Sequence, residues 1–225
     1  MNWDSILAFA RGPFFYFALL IFIGGMIYRF VRIVLLGFSS DRVPARGSKL
    51  GGVVKTYAKN LLILPFIPWV KGSFSRNPVM YLAGGLFHLS LFVVIFLGTA
   101  HMLVWKSLLG FGWPTLALPI VDWLAAVGIV AMLVLFINRL VNPVLKLLTG
   151  PAEWLNWGLV FIPMLTGYIM THHLFFPYQV LFSLHMIAVD LLLIWIPASR
   201  ISHFMFYFFS RTIHGTEFGK RAVSP

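Results

Sequence analysis

The sequence predicts an all-α integral membrane protein, a bundle of five transmembrane helices with its amino terminus outside and its carboxy terminus in the cytoplasm. Three observations lead there. Of the 225 residues, 60% are hydrophobic and 10% charged, with a mean hydropathy of +0.91; soluble domains carry roughly 25% charged residues. The apolar residues fall in runs of about 20, the length a helix needs to cross a hydrocarbon core. The basic residues gather in alternate connections between those runs, and basic loops stay cytoplasmic.

The predicted spans are residues 13–36, 79–105, 119–137, 151–170 and 179–201. Pro13, Pro119 and Pro151 suit first helical turns, where a missing N–H costs little. Asp122 and Glu153 are placed in first turns, where the helix dipole favours acids. The arginines of the first span follow its apolar core rather than precede it, so no cleaved leader is expected. Arg42, Arg46, Lys49, Lys55, Lys59, Lys71 and Arg76 lie between spans one and two. Arg139 and Lys146 follow span three, and Arg200, Arg211, Lys220 and Arg221 close the chain. These connections are expected inside.

The stretch 53–70 mixes Lys55 and Lys59 with Leu61, Leu62, Phe66 and Trp69, and Pro65 and Pro68 break any helix through it. It reads as a cytoplasmic interfacial segment that anchors the protein, docks a cytoplasmic partner, or does both. Residues 1–225 form a single membrane domain without internal repeat. The net charge of +11 fits membrane orientation and anionic lipid better than nucleic acid, because the charges flank apolar runs instead of forming one patch. The absence of cysteine excludes Cys-ligated iron–sulfur clusters, c-type haem attachment and disulfides within this chain.

Four histidines stand in the two strongest apolar runs: His88 and His101 in span two, His185 and His203 in span five. Ionisable residues at such depth point to function. Pairing by depth sets His88 with His203 and His101 with His185. The 13 residues between His88 and His101 rise about 20 Å, and the 18 between His185 and His203 about 27 Å. Both fit a bilayer core of about 30 Å. Eighteen residues make about five turns, so His185 and His203 would share a face; thirteen do not, unless the helix unwinds near Gly98. Neutral imidazoles are good axial ligands for haem iron. Two per iron leave no open position, which suits electron transfer. Small residues such as Gly84, Gly85, Gly98 and Ala100 would admit a flat macrocycle. Histidines satisfied by neighbouring polar groups, a proton or metal-ion path, and a structural anchor are the other readings. Only Asp190 adds a carboxylate deep in a span.

The run Phe182-Ser183-Leu184-His185 followed by Pro197-Ala198-Ser199-Arg200-Ile201-Ser202-His203 resembles the gamma subunit of respiratory nitrate reductase, and Leu86-Phe87-His88 looks like its counterpart helix. The wide spacing on span two and the long basic loop before it look more like relatives serving heterodisulfide-reductase-like and sulfite-reduction-linked complexes. The resemblance implies a dihaem b-type cytochrome in a prokaryotic cytoplasmic membrane. Such a subunit exchanges electrons between the quinone pool and a cytoplasmic iron–sulfur partner. His101 and His185 would hold the outer haem b, and His88 and His203 the inner one. Arg200 would meet an inner propionate. The quinone candidates beside the outer haem are Lys106, Asp122, His172 and His173; no terminal catalytic site is expected in this chain.

Overall fold

The computed structural model describes residues 2–36, 44–63, 74–75 and 77–223. Every regular element among them is helical. Among the described residues four helices are both long and apolar enough to cross a membrane, and large apolar side chains lie bare along them, as on Leu20 (68% exposed) and Trp123 (75%). A surface of this kind needs lipid around it, so the chain is a multi-pass helical membrane protein.

Helix α1 spans Trp3–Leu35. It starts about ten residues before the predicted span, capped by the Asn2 side chain, which accepts the Asp4 N–H at 3.1 Å. Pro13 is therefore not in a first turn. It lies inside a π-type bulge, Ala10–Phe14, where Gly12 takes φ −112 and ψ −105. A proline cannot donate to the helix ladder, and the bulge absorbs the defect. Helix α2, Lys49–Tyr57, is capped by Ser48 and runs on into the wide turn Ala58–Ile63. The first part of the predicted interfacial segment is thus helical. Residues 64–70, with Pro65 and Pro68, lie outside the described residues, as do Arg42, Lys71 and Arg76.

The second predicted span is two helices. Helix α3, Pro78–Phe92, continues through a π turn, Val93–Leu97, and stops at Gly98, whose backbone is extended at φ −77 and ψ 131. Helix α4, Thr99–Leu109, then begins afresh and ends on Gly110 in the left-handed region at φ 81. The expected unwinding near Gly98 is present. Helix α5, Leu118–Val141, and the short α6, Pro143–Leu147, follow. Pro119 occupies the first turn as expected. Asp122 lies one turn further in, beyond reach of the helix-end N–H groups.

Helix α7, Pro151–Thr171, opens with Pro151, and Glu153 Oε2 accepts the Gly150 N–H at 2.9 Å. At 21 residues it is close to its predicted length, and Glu153 and Asn156 make it more polar than the four long apolar helices among the described residues. Helix α8, Tyr178–Trp195, ends in 3₁₀ turns at Ile196–Ala198 and Arg200–Ser202, and α9 occupies His203–Lys220. The last predicted span accordingly stops before residue 201. His203 is the first residue of the next helix, and the shared face expected of an unbroken helix does not carry across the break.

The chain divides into two compact units. The first comprises Met1–Leu19 and Asn77–Leu193, the second Leu20–Arg76 and Ile194–Pro225. In the first unit α3, α5 and α7 pack around Ala83, Phe87, Ala131 and Met132, with Trp157, Phe161 and Met164 closing the cluster. Trp157 Nε1 donates to the Met132 carbonyl at 3.1 Å, which ties α7 to α5. In the second unit α2 lies against α9. Gly52 meets the Gly215 carbonyl and the Gly219 main chain, and Gly47 meets Gly219. Residues His203–Lys220 are thus a helix, joined to α2 through Ser48-xxx-Gly52-xxx-Thr56 and Gly215-xxx-Gly219. Small residues at every fourth position let two helix backbones approach closely.

Candidate functional site: the histidines and the helix breaks beside them

His185 is 9% exposed, within the first unit. Its ring lies against α7 at Gly167, the side of that helix where no Cβ stands in the way. Nδ1 is 3.0 Å from the Pro163 carbonyl and 3.2 Å from Thr166 Oγ1. A carbonyl only accepts, so Nδ1–H donates and Nε2 is left as the basic nitrogen. This is the outer hydrogen bond that fixes the tautomer and aim of metal-ligating histidines.

His101 faces His185. The ring centroids are 6.2 Å apart with planes at 62°. Imidazole–metal bonds of about 2.0 Å place two such nitrogens about 4 Å apart across one metal, and the ring centres about 6 Å apart. The two residues predicted for the outer haem are thus brought together, at a separation at which both could hold one iron.

His101 is aimed by the break at Gly98. The π turn and the extended residue free several carbonyls, and in an apolar medium each needs a donor. The Ile95 carbonyl takes the Trp105 indole N–H at 3.1 Å, Phe96 that of Trp113 at 2.5 Å, and Leu97 the Leu116 N–H at 2.9 Å. The Val94 carbonyl takes the Gly98 N–H at 3.3 Å, and the Val94 main chain also meets His101. The carbonyls of residues 94–97 are thus all bonded, and α4 begins afresh with His101 in its first turn.

His88 is exposed on α3, in the first unit. Its Nδ1–H donates to the Gly84 carbonyl at 2.6 Å, and its ring meets Phe87 and Phe92. A Cβ at Gly84 or Gly85 would touch nothing within 4 Å, so a bare strip runs beside this histidine, room of the kind a flat macrocycle needs. His203 belongs to the second unit, and its Nδ1–H donates to the Arg200 carbonyl at 3.0 Å. In both residues the proton sits on Nδ1 and Nε2 is the basic nitrogen. Arg200 is exposed in the turn before α9, and its main chain is the part that engages His203.

The quinone candidates are not gathered. Lys106 is exposed near the end of α4, and Asp122 is half-buried on α5. His172 ends α7, with Nδ1 on the Tyr168 carbonyl at 2.9 Å and its ring 4.2 Å from that of Tyr168. His173 takes φ 52 in the following turn. No hydrogen bond or ion pair among the described residues joins these groups. His214 is exposed on α9. Among the described residues no three His, Cys, Asp or Glu side chains cluster as a metal site.

Sequence reasoning missed the supporting residues. Trp105, Trp113, Pro163, Thr166 and Gly167 hold or admit the outer pair. A proline with a threonine and a glycine three and four places on, inside an apolar run, was the available signal. Asp190 is wholly buried on α8, and neither carboxyl oxygen has a hydrogen-bond partner among the described residues.

Over 215 residues the chain is 26% identical to a protein of Nitratidesulfovibrio vulgaris strain Hildenborough, a match covering 94% of this chain and 92% of that protein. The likeness runs nearly end to end. No family model matches the chain, and no solved structure matches it.

Proposed function

We propose that the chain is a dihaem b-type cytochrome, the membrane subunit of a respiratory oxidoreductase, passing electrons between the quinone pool and a cytoplasmic iron–sulfur partner. The observation that carries this reading is the facing pair His101 and His185, 6.2 Å apart between ring centroids, with His185 held on the Pro163 carbonyl through Nδ1. His88 and His203 are the residues the sequence resemblance assigns to a second haem, and in each the Nδ1–H is held by a main-chain carbonyl. Bound in these positions, the two haems would relay single electrons through the apolar interior.

The reading includes α7 as a fifth span, an amino terminus outside and the basic segments inside a prokaryotic cytoplasmic membrane. Its support is the charge asymmetry: Arg46, Lys49 and Lys55 follow α1, Arg139 lies in the last turn of α5 and Lys146 follows it, and Arg211, Lys220 and Arg221 follow α8. The chain's own residues would orient the two ligand pairs, exclude water from them, and handle quinol protons at the outer face. There Lys106 and His172 are the groups able to hydrogen-bond a quinone oxygen, with Asp122 and His173 as second candidates. A quinol oxidised at that face releases two protons outside while two electrons move inward, which charges the membrane.

The test is the dithionite-reduced minus oxidised visible spectrum of the purified chain, with a pyridine haemochrome assay. Two b-type haems per chain are expected. His101→Ala and His185→Ala should each remove one haem and the same one. A folded, membrane-extracted protein without haem overturns the reading and favours a histidine-lined ion or proton path.

A further inference from the structure

Within the second unit Arg29 sits inside an apolar helix, and the proposed electron path does not use it. Arg29 lies in α1 between Tyr28 and Phe30, partly buried. Its Nη1 donates to the Ser199 carbonyl at 3.1 Å and also to Ser202 Oγ. Its guanidinium stands 5.6 Å from the centre of the Phe206 ring. A charge in a membrane helix is costly unless it has work to do.

That work is visible in the backbone it touches. Pro197 stops α8, Ser199 is extended at φ −112 and ψ 175, and a 3₁₀ turn leads to His203. The ladder is broken here, so its carbonyls need other donors. Ser199 Oγ donates to the Ile196 carbonyl at 3.1 Å and accepts the Ile201 N–H at 3.2 Å. Ser202 Oγ donates to the Ser199 carbonyl at 2.8 Å, and His203 Nδ1 to that of Arg200 at 3.0 Å. Arg29 is the partner in this network that comes from a different helix. Two further contacts seat α1 against the same segment: Gly25, where a Cβ would lie 2.5 Å from the Pro197 Cβ, and Phe30, 5.3 Å from the Phe209 ring.

We infer that Arg29 is the positioning residue for His203: by clamping the Ser199–Ser202 turn to α1 it fixes the direction in which His203 presents Nε2. The inference rests on the proposed role of His203 as the ligand of the inner haem. One guanidinium nitrogen, Nη1, serves both the carbonyl and the hydroxyl, while the guanidinium carbon stands over the Phe206 ring.

Arg29→Gln, Arg29→Lys and Ser202→Ala in the full-length protein test it with two readouts. Hydrogen exchange reads the amides of residues 199–206 whether or not haem is bound. Loss of hydrogen bonds to a charged donor should speed that exchange about tenfold or more in Arg29→Gln, less in Arg29→Lys and Ser202→Ala. In haem-loaded protein the same variants should shift the potential of one haem, or drop its occupancy, and leave the haem of His101 and His185 unchanged. Folded variants with unaltered exchange and two unaltered haems overturn the inference. A wild-type chain that binds no haem overturns the functional reading instead, while the exchange readout still decides whether Arg29 holds the turn. If Arg29→Gln fails to fold, Arg29→Lys and Ser202→Ala decide by the same criteria.

Discussion

Replacing Gly167 with alanine should separate the stability of the protein from the geometry of its outer ligand pair. A Cβ there would lie 3.0 Å from His185 Cε1 and 3.2 Å from Nδ1, where ordinary contact begins at 3.4 Å. The ring must retreat by a few tenths of an ångström, away from α7. The bond from Nδ1 to the Pro163 carbonyl, 3.0 Å as it stands, lengthens and weakens, at a cost of about 0.5–1.5 kcal/mol. Against this, alanine is better than glycine inside a helix by about 0.8–1.0 kcal/mol. The two effects nearly cancel, so the melting temperature should move by no more than about 2–4 °C. The ligand does not escape so lightly. On the proposed dihaem reading its tilt changes, and the spectrum and potential of the haem it shares with His101 should shift while the other haem stays as it was. Gly167→Leu should remove the outer haem altogether. The assay is thermal unfolding in parallel with a potentiometric titration of the reduced-minus-oxidised spectrum. A Gly167→Leu protein with both haems at wild-type potentials would refute the placement of His185 against α7.

Two further expectations follow from the packing. Gly52→Leu would drive a side chain into the Gly215 carbonyl and the Gly219 backbone, which cannot rotate aside; overpacking of this kind costs about 1–3 kcal/mol, so the melting temperature should fall and protease should cut near α2, and an unmoved melting temperature would mean that α2 and α9 are not packed through these glycines. Asp190→Val removes a wholly buried carboxyl with no hydrogen-bond partner among the described residues; such burial costs about 2–7 kcal/mol, so the variant should unfold at a higher temperature than the wild type, and a variant that melts lower would show that the carboxyl has a stabilising partner in the membrane.

The apolar runs and the alternation of basic connections made the long helices legible, and Pro119, Pro151 and Glu153 marked two of their starts. What periodicity could not show was where the helices stop being helices. Pro13 was read as a beginning and lies in a bulge. His203 was read at the foot of a span and begins a new helix. Arg29 was not singled out, although it lies within the predicted first span. Two of the helix breaks are compensated by partners from elsewhere in the sequence: Ser199 by Arg29 and Phe96 by Trp113. Window averages over one segment cannot see such partners. The packing of α2 on α9 was hidden for a different reason. Both helices are too polar to register as membrane segments, and their signal was the fourfold spacing of Ser48, Gly52 and Thr56 against Gly215 and Gly219.

The break at Gly98 carries the most weight, because it removes an objection that an ideal helix raises. On an unbroken helix, 13 residues put His88 and His101 about 140° apart around the axis, so they could not address cofactors on one side. The extended residue at Gly98 ends that phase relation and lets α4 choose its own, which brings His101 to His185. Gly98 is needed for a steric reason and not for its dihedral angles, which any residue can adopt: a Cβ would lie 2.5 Å from the Val94 carbonyl oxygen, part of the backbone that forms the π turn. Here the neighbour cannot give way as the His185 ring can beside Gly167. Gly98→Ala should therefore lower the melting temperature and diminish the outer haem together, by about 1–3 kcal/mol of stability, where Gly167→Ala changes the haem alone. The pair of variants separates a ligand's aim from the scaffold that supplies it. If Gly98→Ala keeps wild-type stability and both haems, the break is not what orients His101, and the pairing with His185 needs another cause.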